Sequence, residues 1–331
     1  MIPQELFDKT VLHQTHLLRR SNGIIRDVFV LLKDAENDIK TQIVTRDMTA
    51  YQTQRLQSLL VDVQKRISEL TKTMSKTVKA ELEGLSVYES GNQADMLRST
   101  LGVDLPPIVV PPTATLVSSV VENPIQGKFF AEWMETFEAS TVGRLNQAIR
   151  IGVLEGETES QLIRRVRNEI DTTRNAASQL VRTSTNSVTN NARQLLWAQN
   201  SDIIEEWQFV ATLDSRTTFI CIELDGERFP IGEGPKPPRH RSCRSTTIAV
   251  VKDSIFTPAM RASAGGPVDA SLTYPAWLKT QPVSVQKDVL GVARQKMWSE
   301  GRIEIKNFTD DTGRTLTLDE LKKKDSKLFD S

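Results

Sequence analysis

The chain is poor in the residues that cross-link, anchor or charge a protein as a whole. Among 331 residues there are two cysteines, Cys221 and Cys243. That is too few for a disulfide scaffold, and it fits a reducing cytoplasm. Lys and Arg number 42 and so do Asp and Glu, so no global charge drives the chain onto nucleic acid or membrane; any such binding has to come from local patches. No apolar run reaches the roughly 18–20 residues of a membrane span. The opening MIPQELFDKT has no basic start followed by an apolar stretch, so it does not read as a signal peptide. Gly-rich phosphate loops, HExxH and GxSxG are missing, which removes the commonest signatures of phosphoryl transfer, zinc proteolysis and serine hydrolysis. Internal repeats and low-complexity tracts are missing too.

What is present is helical periodicity. Leu56, Leu60, Val63, Ile67, Leu70, Met74, Val78, Leu82 and Leu85 recur in steps of three or four, one face of a long helix. Leu17, Ile24, Val28, Leu31, Leu32, Ile39 and Ile43 suggest a partner helix. The two either pack on each other as an antiparallel hairpin or reserve their seam for another chain; the local pattern does not separate these. "LPPIVVPPTATLV" then predicts a linker or short edge strand at residues 104–118, because paired prolines cannot continue a helix. This stretch is expected to be a protease-sensitive joint. Helix resumes at Phe129. Thr158 and Gln161 have the spacing of a capping box, and a further helix is expected over 175–198. Six arginines fall between residues 161 and 200: Arg164, Arg165, Arg167, Arg174, Arg182 and Arg193. Such a stretch is either a solvated helix face or a contact for phosphates or an acidic partner.

At residue 205 the pattern changes. "EEWQFVATL" alternates as a strand does, Asp214 to Gly226 reads as a short helix with a left-handed exit, and "ERF" and "RSTTIAVV" read as two more strands. The fold class is therefore α+β and predominantly α-helical. Its expected segments are a long N-terminal helical arm (1–103), a Pro-rich linker (104–125), a helical body (126–204), a small strand-containing module (205–255) and a helical tail (256–331). In the tail, Thr317 and Glu320 form a second expected capping box after a turn at Gly313.

The small module holds both cysteines and His240, one of three histidines, within about 23 residues. His240 and Cys243 make a close H-x-x-C pair, and Cys221 stands 18 intervening residues upstream of His240. Zinc takes about four such ligands. Cys221, His240 and Cys243 are therefore metal candidates, with Asp214, Glu223, Asp225 or water as a fourth ligand. The alternative is two thiols buried as small apolar groups, with the imidazole bonded to a backbone carbonyl. A nuclease-type enzyme using His240 is a weaker alternative, because no orienting third group stands near the pair and no catalytic residue is assigned. Lys236, Arg239, Arg241 and Arg244 crowd the end of the stretch. They are expected to face outward as contacts for phosphates or a partner, together with Arg164, Arg165 and Arg167.

The run "LDSRTTFICIELDGERF…PPRHRSCRS" resembles the central motif of the phage Mu F-like head morphogenesis family, the minor head or minor capsid proteins. Asp214, Arg216, Thr217, Cys221, Leu224, Gly226, Pro237, Pro238, His240, Cys243 and Arg244 carry the resemblance. Arg182 and Thr183 are similar to the family's A-R-T-E helix, and the tail around "YPAWLKTQPVSVQKDVL" is similar to that of many members; the likeness spans about 125–325. Ser245 stands where the family has a further cysteine, and Ser184 where it has a glutamate. The resemblance implies a virion protein at the head interior or portal vertex, assembled in the host cytoplasm and acting in procapsid morphogenesis and DNA packaging. It implies portal and other head proteins as partners, with double-stranded DNA as a further one and no membrane. It also implies an alternative, a DNA-binding protein ejected with the genome. No cofactor other than zinc is expected.

Overall fold

The computed structural model describes residues 4–46, 53–101, 106–252, 260–310 and 312–324. The chain divides into two compact units, and neither follows the serial order of arm, linker, body, module and tail. One draws on Met1–Thr15, Ser90–Pro111 and Arg193–Ser331, the other on His16–Glu89 and Pro112–Ala192.

The second unit is helical. It is built on α1 (Gln4–Thr45), α2 (Thr53–Leu101), α3 (Thr113–Glu122), α4 (Phe130–Leu154) and α5 (Glu159–Gln199), of which α1, α2 and α5 also lend an end to the first unit. Every apolar position of the predicted α2 face is buried, and so is the predicted α1 face except for half-buried Leu31. Apart from Leu17 and Leu85, these side chains share one core with Phe130, Leu145, Ile149, Val166 and Val181. Arg66 reaches Asp38 at 2.6 Å, Arg20 reaches Glu81 at 3.7 Å, and Arg46 meets Asp62. Partners that descend along α1 as they ascend along α2 make the pair antiparallel, so the hairpin closes on its own chain.

Three expectations need correction here. The linker placed at 104–125 contains a helix: residues 106–112 lack regular structure, but α3 begins at Thr113. Pro111 and Pro112 stand just before its first turn, where a missing N–H has no intrahelical partner to lose. The expected start of the linker, at residue 104, lies outside the described residues. The two helices expected between 161 and 198 are one, α5. Its start carries the predicted box: the Thr158 N–H donates to Gln161 Oε1 at 2.8 Å and the Gln161 N–H to Thr158 Oγ1 at 3.3 Å. Finally, the stretch Thr183–Asn190 of α5 is buried rather than solvated. Its side chains bond their own helix, Thr189 to the Thr185 carbonyl and Asn190 to the Asn186 carbonyl, so burial leaves those groups satisfied.

The first unit holds a three-stranded antiparallel sheet in the order β2–β1–β3, where β1 is Ile204–Val210, β2 Arg228–Pro230 and β3 Thr246–Val251. Trp207 lies opposite Phe229 on one side and Ala249 on the other. Trp197, Trp207, Phe209 and Ile248 form its core together with both cysteines. The tail, residues 256–331, was expected to be helical. Its described part instead opens with a hairpin, β4 (Met260–Ser263) and β5 (Gly266–Asp269), followed by four short α-helices and a 3-10 turn between Tyr274 and Lys324. Arg261 of β4 is buried and forks onto buried Asp225 with two bonds of 2.8 Å, while the Ala211 and Tyr274 N–H groups donate to the same carboxylate. The second box is formed, with the Thr317 N–H donating to Glu320 Oε2 at 2.7 Å and the Glu320 N–H to Thr317 Oγ1 at 3.2 Å.

A candidate metal centre in the Cys/His module

Three elements bring the candidate ligands together. Cys221 rides on the short helix α6 (Phe219–Leu224). This helix begins at Phe219, not at Asp214. Asp214 does not cap it; its Oδ1 accepts the Arg216 N–H at 3.0 Å and closes a turn of its own. Gly226 follows the helix with φ +88°, and its N–H donates to the Phe209 carbonyl at 2.9 Å, tying the exit to β1. His240 and Cys243 are the ends of a tight turn closed by the Cys243 N–H on the His240 carbonyl at 3.2 Å, with Ser242 at φ +56°. Buried Pro237 and Pro238 lead into that turn, and Cys243 leads out of it toward β3.

The ligand atoms of Cys221, His240 and Cys243 all lie within 4.8 Å of one another. Both thiols are buried, their sulfurs are 3.7 Å apart, and the imidazole is half-buried. His240 Nδ1 sits 3.0 Å from the Arg241 carbonyl, which makes it the protonated nitrogen and leaves Nε2 its lone pair. The two thiols titrate unequally. The bond to Cys243, with burial, pushes the Cys221 thiol up. Cys243 is pulled well below the ordinary thiol value by the Cys221 S–H, against the effect of burial, with help from His240 and the Arg239 backbone N–H. For His240, burial works against the proton, but Cys243 and the Arg241 carbonyl hold the imidazole above its ordinary value. The arrangement therefore offers one readily formed thiolate, a second thiol and an imidazole of fixed tautomer.

Among the described residues none of the expected carboxylates joins this cluster. Asp214 is forked by Arg244 at 2.5 and 2.8 Å, Asp225 is held by Arg261, and Glu223 accepts from Thr309. The hydroxyls beside Cys221 are those of Thr218 and Ser245. Neither was singled out as a ligand in the sequence. The available signal was spacing: in extended chain, side chains two residues apart share a face, so Ser245 looks the same way as Cys243.

The cations are less available than the sequence suggests. Arg244 is not presented outward but clasps Asp214, whose backbone carbonyl also accepts from the Tyr274 hydroxyl at 2.5 Å. Lys236 and Arg239 are half-buried, and burial pushes the Lys236 ammonium down. Arg165 lies on Glu155 at 2.8 Å and on Glu157. Arg167 and Arg174 converge on buried Glu36 at 3.4 and 3.2 Å. Arg193 is buried and donates to the Thr247 carbonyl at 2.9 Å. Arg164, Arg216 and Arg241 are exposed. Arg216, Arg241 and Arg244 line a pocket of about 250 Å³ together with His240, Thr218 and Ser245.

Each motif residue thus has a physical task. Asp214 organises the turn through Arg216 and Thr217, whose hydroxyl is 3.3 Å from Oδ1. Gly226 supplies a left-handed exit, and Pro238 is buried just ahead of the H-x-x-C turn. No helix among the described residues is long and apolar enough to cross a membrane. No curated protein and no solved structure matches the chain. Residues 144–248, from within α4 through α5 and the Cys/His module into β3, match the family described as Phage Mu protein F like protein. The resemblance carried by Asp214 to Arg244 thus falls within a segment, about a third of the chain, that is similar to the phage Mu F-like proteins.

Proposed function

We propose that the protein is a minor head protein of a tailed bacteriophage, incorporated in the virion and acting in procapsid assembly through contacts with the portal and other head proteins. The observation that carries this reading is the family match over residues 144–248. The structure adds that the motif residues within it build a small, well-connected scaffold: Asp214 with Arg244, Gly226 with Phe209, and the H-x-x-C turn on its prolines. Protein partners are favoured over the genome as the main contact, because Arg165, Arg167, Arg174 and Arg244 already lie on carboxylates. A DNA-contacting or ejected protein needs free cations in register with phosphates, since counterion release supplies most of such binding.

Co-expression with the portal protein of the same genome tests the reading. The chain should co-purify with assembled portal, and nuclease treatment should leave the complex intact. Loss of the complex on nuclease treatment, with DNA binding that falls steeply with salt, would transfer the role to the genome. DNA cleavage abolished by His240→Ala would replace it with an enzyme.

A further inference from the structure

We propose that Cys221, His240 and Cys243 form a zinc site whose fourth position opens toward the pocket beside Ser245. The inference goes beyond the head-assembly reading and does not depend on it. Two zinc–sulfur bonds of about 2.3 Å at a tetrahedral angle place their sulfurs about 3.8 Å apart. The observed separation is 3.7 Å. A disulfide would need about 2.05 Å. The imidazole completes a third corner within 4.8 Å of both sulfurs. Its Nδ1 is turned to the Arg241 carbonyl, the outer contact that zinc-bound histidines use to fix their tautomer and orientation. Two sulfurs and one nitrogen form a donor set that selects zinc over the hard cations magnesium and calcium. A merely apolar burial of the thiols would not require the histidine to share their corner.

The fourth ligand is external. The carboxylates nearest in sequence are engaged elsewhere, and the neighbouring groups are the hydroxyls of Thr218 and Ser245. Both line the pocket, as does His240, so solvent reaches this side of the cluster. Water in that position gives a Cys2His site closed on three sides by protein. Bound in this way, the metal joins α6, the H-x-x-C turn and the approach to β3, which otherwise meet only through side-chain packing and a few hydrogen bonds.

The full-length chain, expressed in zinc-supplemented medium and purified without chelator, should carry about one equivalent of zinc by elemental analysis. Exchange with cobalt(II) should give a thiolate-to-cobalt charge-transfer band. Cys221→Ser, Cys243→Ser and His240→Ala should each lose the metal. Those variants remove buried groups, so Ser245→Cys supplies a readout in a folded chain. It adds a third sulfur, as a fourth ligand, beside Cys221 and should tighten zinc about tenfold or more against a competing chelator. Wild-type protein with less than about a tenth of an equivalent of zinc and no cobalt charge-transfer band overturns the proposal, whatever Ser245→Cys does. Zinc that persists in all three ligand variants places the metal elsewhere and also overturns it. So does an affinity unchanged by Ser245→Cys, because position 245 then does not face the metal.

Discussion

Asp214 and Glu36 show how single carboxylates fix local structure here. Asp214 is part-buried, and burial raises its carboxyl pKa, but the Arg244 guanidinium and the Arg216 N–H hold it below the ordinary value. The fork is geometric as well as electrostatic, so charge alone does not replace it. Arg244→Lys should lower stability by about 1 kcal/mol and Arg244→Met by about 2 kcal/mol, measured by urea unfolding. Equal effects would mean that the fork adds nothing to the charge. Glu36 is buried among Lys33, Lys40, Arg167 and Arg174. Burial pushes its pKa up, and the Lys40 bond with the surrounding cations brings it below the ordinary value. A depressed folded value means that the unfolded chain binds the proton first. The contribution is complete above the ordinary Glu range and disappears as pH falls through the folded value. The unfolding midpoint of wild type should therefore drop between about pH 5 and pH 3 by more than that of Glu36→Gln, which has no proton to take up there. Parallel pH profiles would show that Glu36 is not coupled to folding.

At the scale of elements, much was legible wherever a regular repeat met an unambiguous local signal. The α1 and α2 faces were readable because an apolar step of three or four residues has few other solutions, and both capping boxes were readable because their side chains close on nearby N–H groups. α3 was hidden because proline pairs look the same before a helix as within a linker. The β4–β5 hairpin was hidden because four-residue strands are too short to show alternation. Polar burial along α5 was hidden because Thr and Asn bonded to their own helix carry no mark in the sequence. The segment preceding α3 was expected to be protease-sensitive, but the structure ties it down. Asn200 accepts the Val109 N–H at 2.7 Å and donates to the Val109 carbonyl at 2.8 Å, while Arg98 reaches the carbonyl of buried Ile108. Limited proteolysis should spare 106–122 in wild type, and Asn200→Ala should open it to cleavage. Cleavage there in wild type would show that the tie does not hold. At Gly226, an added Cβ would stand 3.0 Å from Thr273 Cγ2 on a backbone at φ +88°. Gly226→Ala should then cost about 1–2 kcal/mol in unfolding free energy. A neutral result would mean that the exit turn relaxes freely.

Across the whole molecule, segments far apart in sequence build each unit, and serial reading could not see this. The first unit takes residues from the beginning of the chain, from around residue 100 and from the last 139 residues, Arg193–Ser331. Its candidate site was legible as a set, since Cys221, His240 and Cys243 are brought together as their spacing suggested. The surrounding shell was not, because Arg261 on an unforeseen strand claims Asp225, and Arg244 turns inward to Asp214. The proposed role in phage head morphogenesis rests on the similarity of the segment that contains this site. The most direct test of the proposed role is mass spectrometry of purified, nuclease-treated phage heads produced from the genome that encodes the chain, quantifying it against the portal protein. The account predicts that the chain is present in heads at a fixed ratio to portal, unchanged by removal of DNA. Its absence from heads that contain portal, or its loss in step with the DNA, would contradict it.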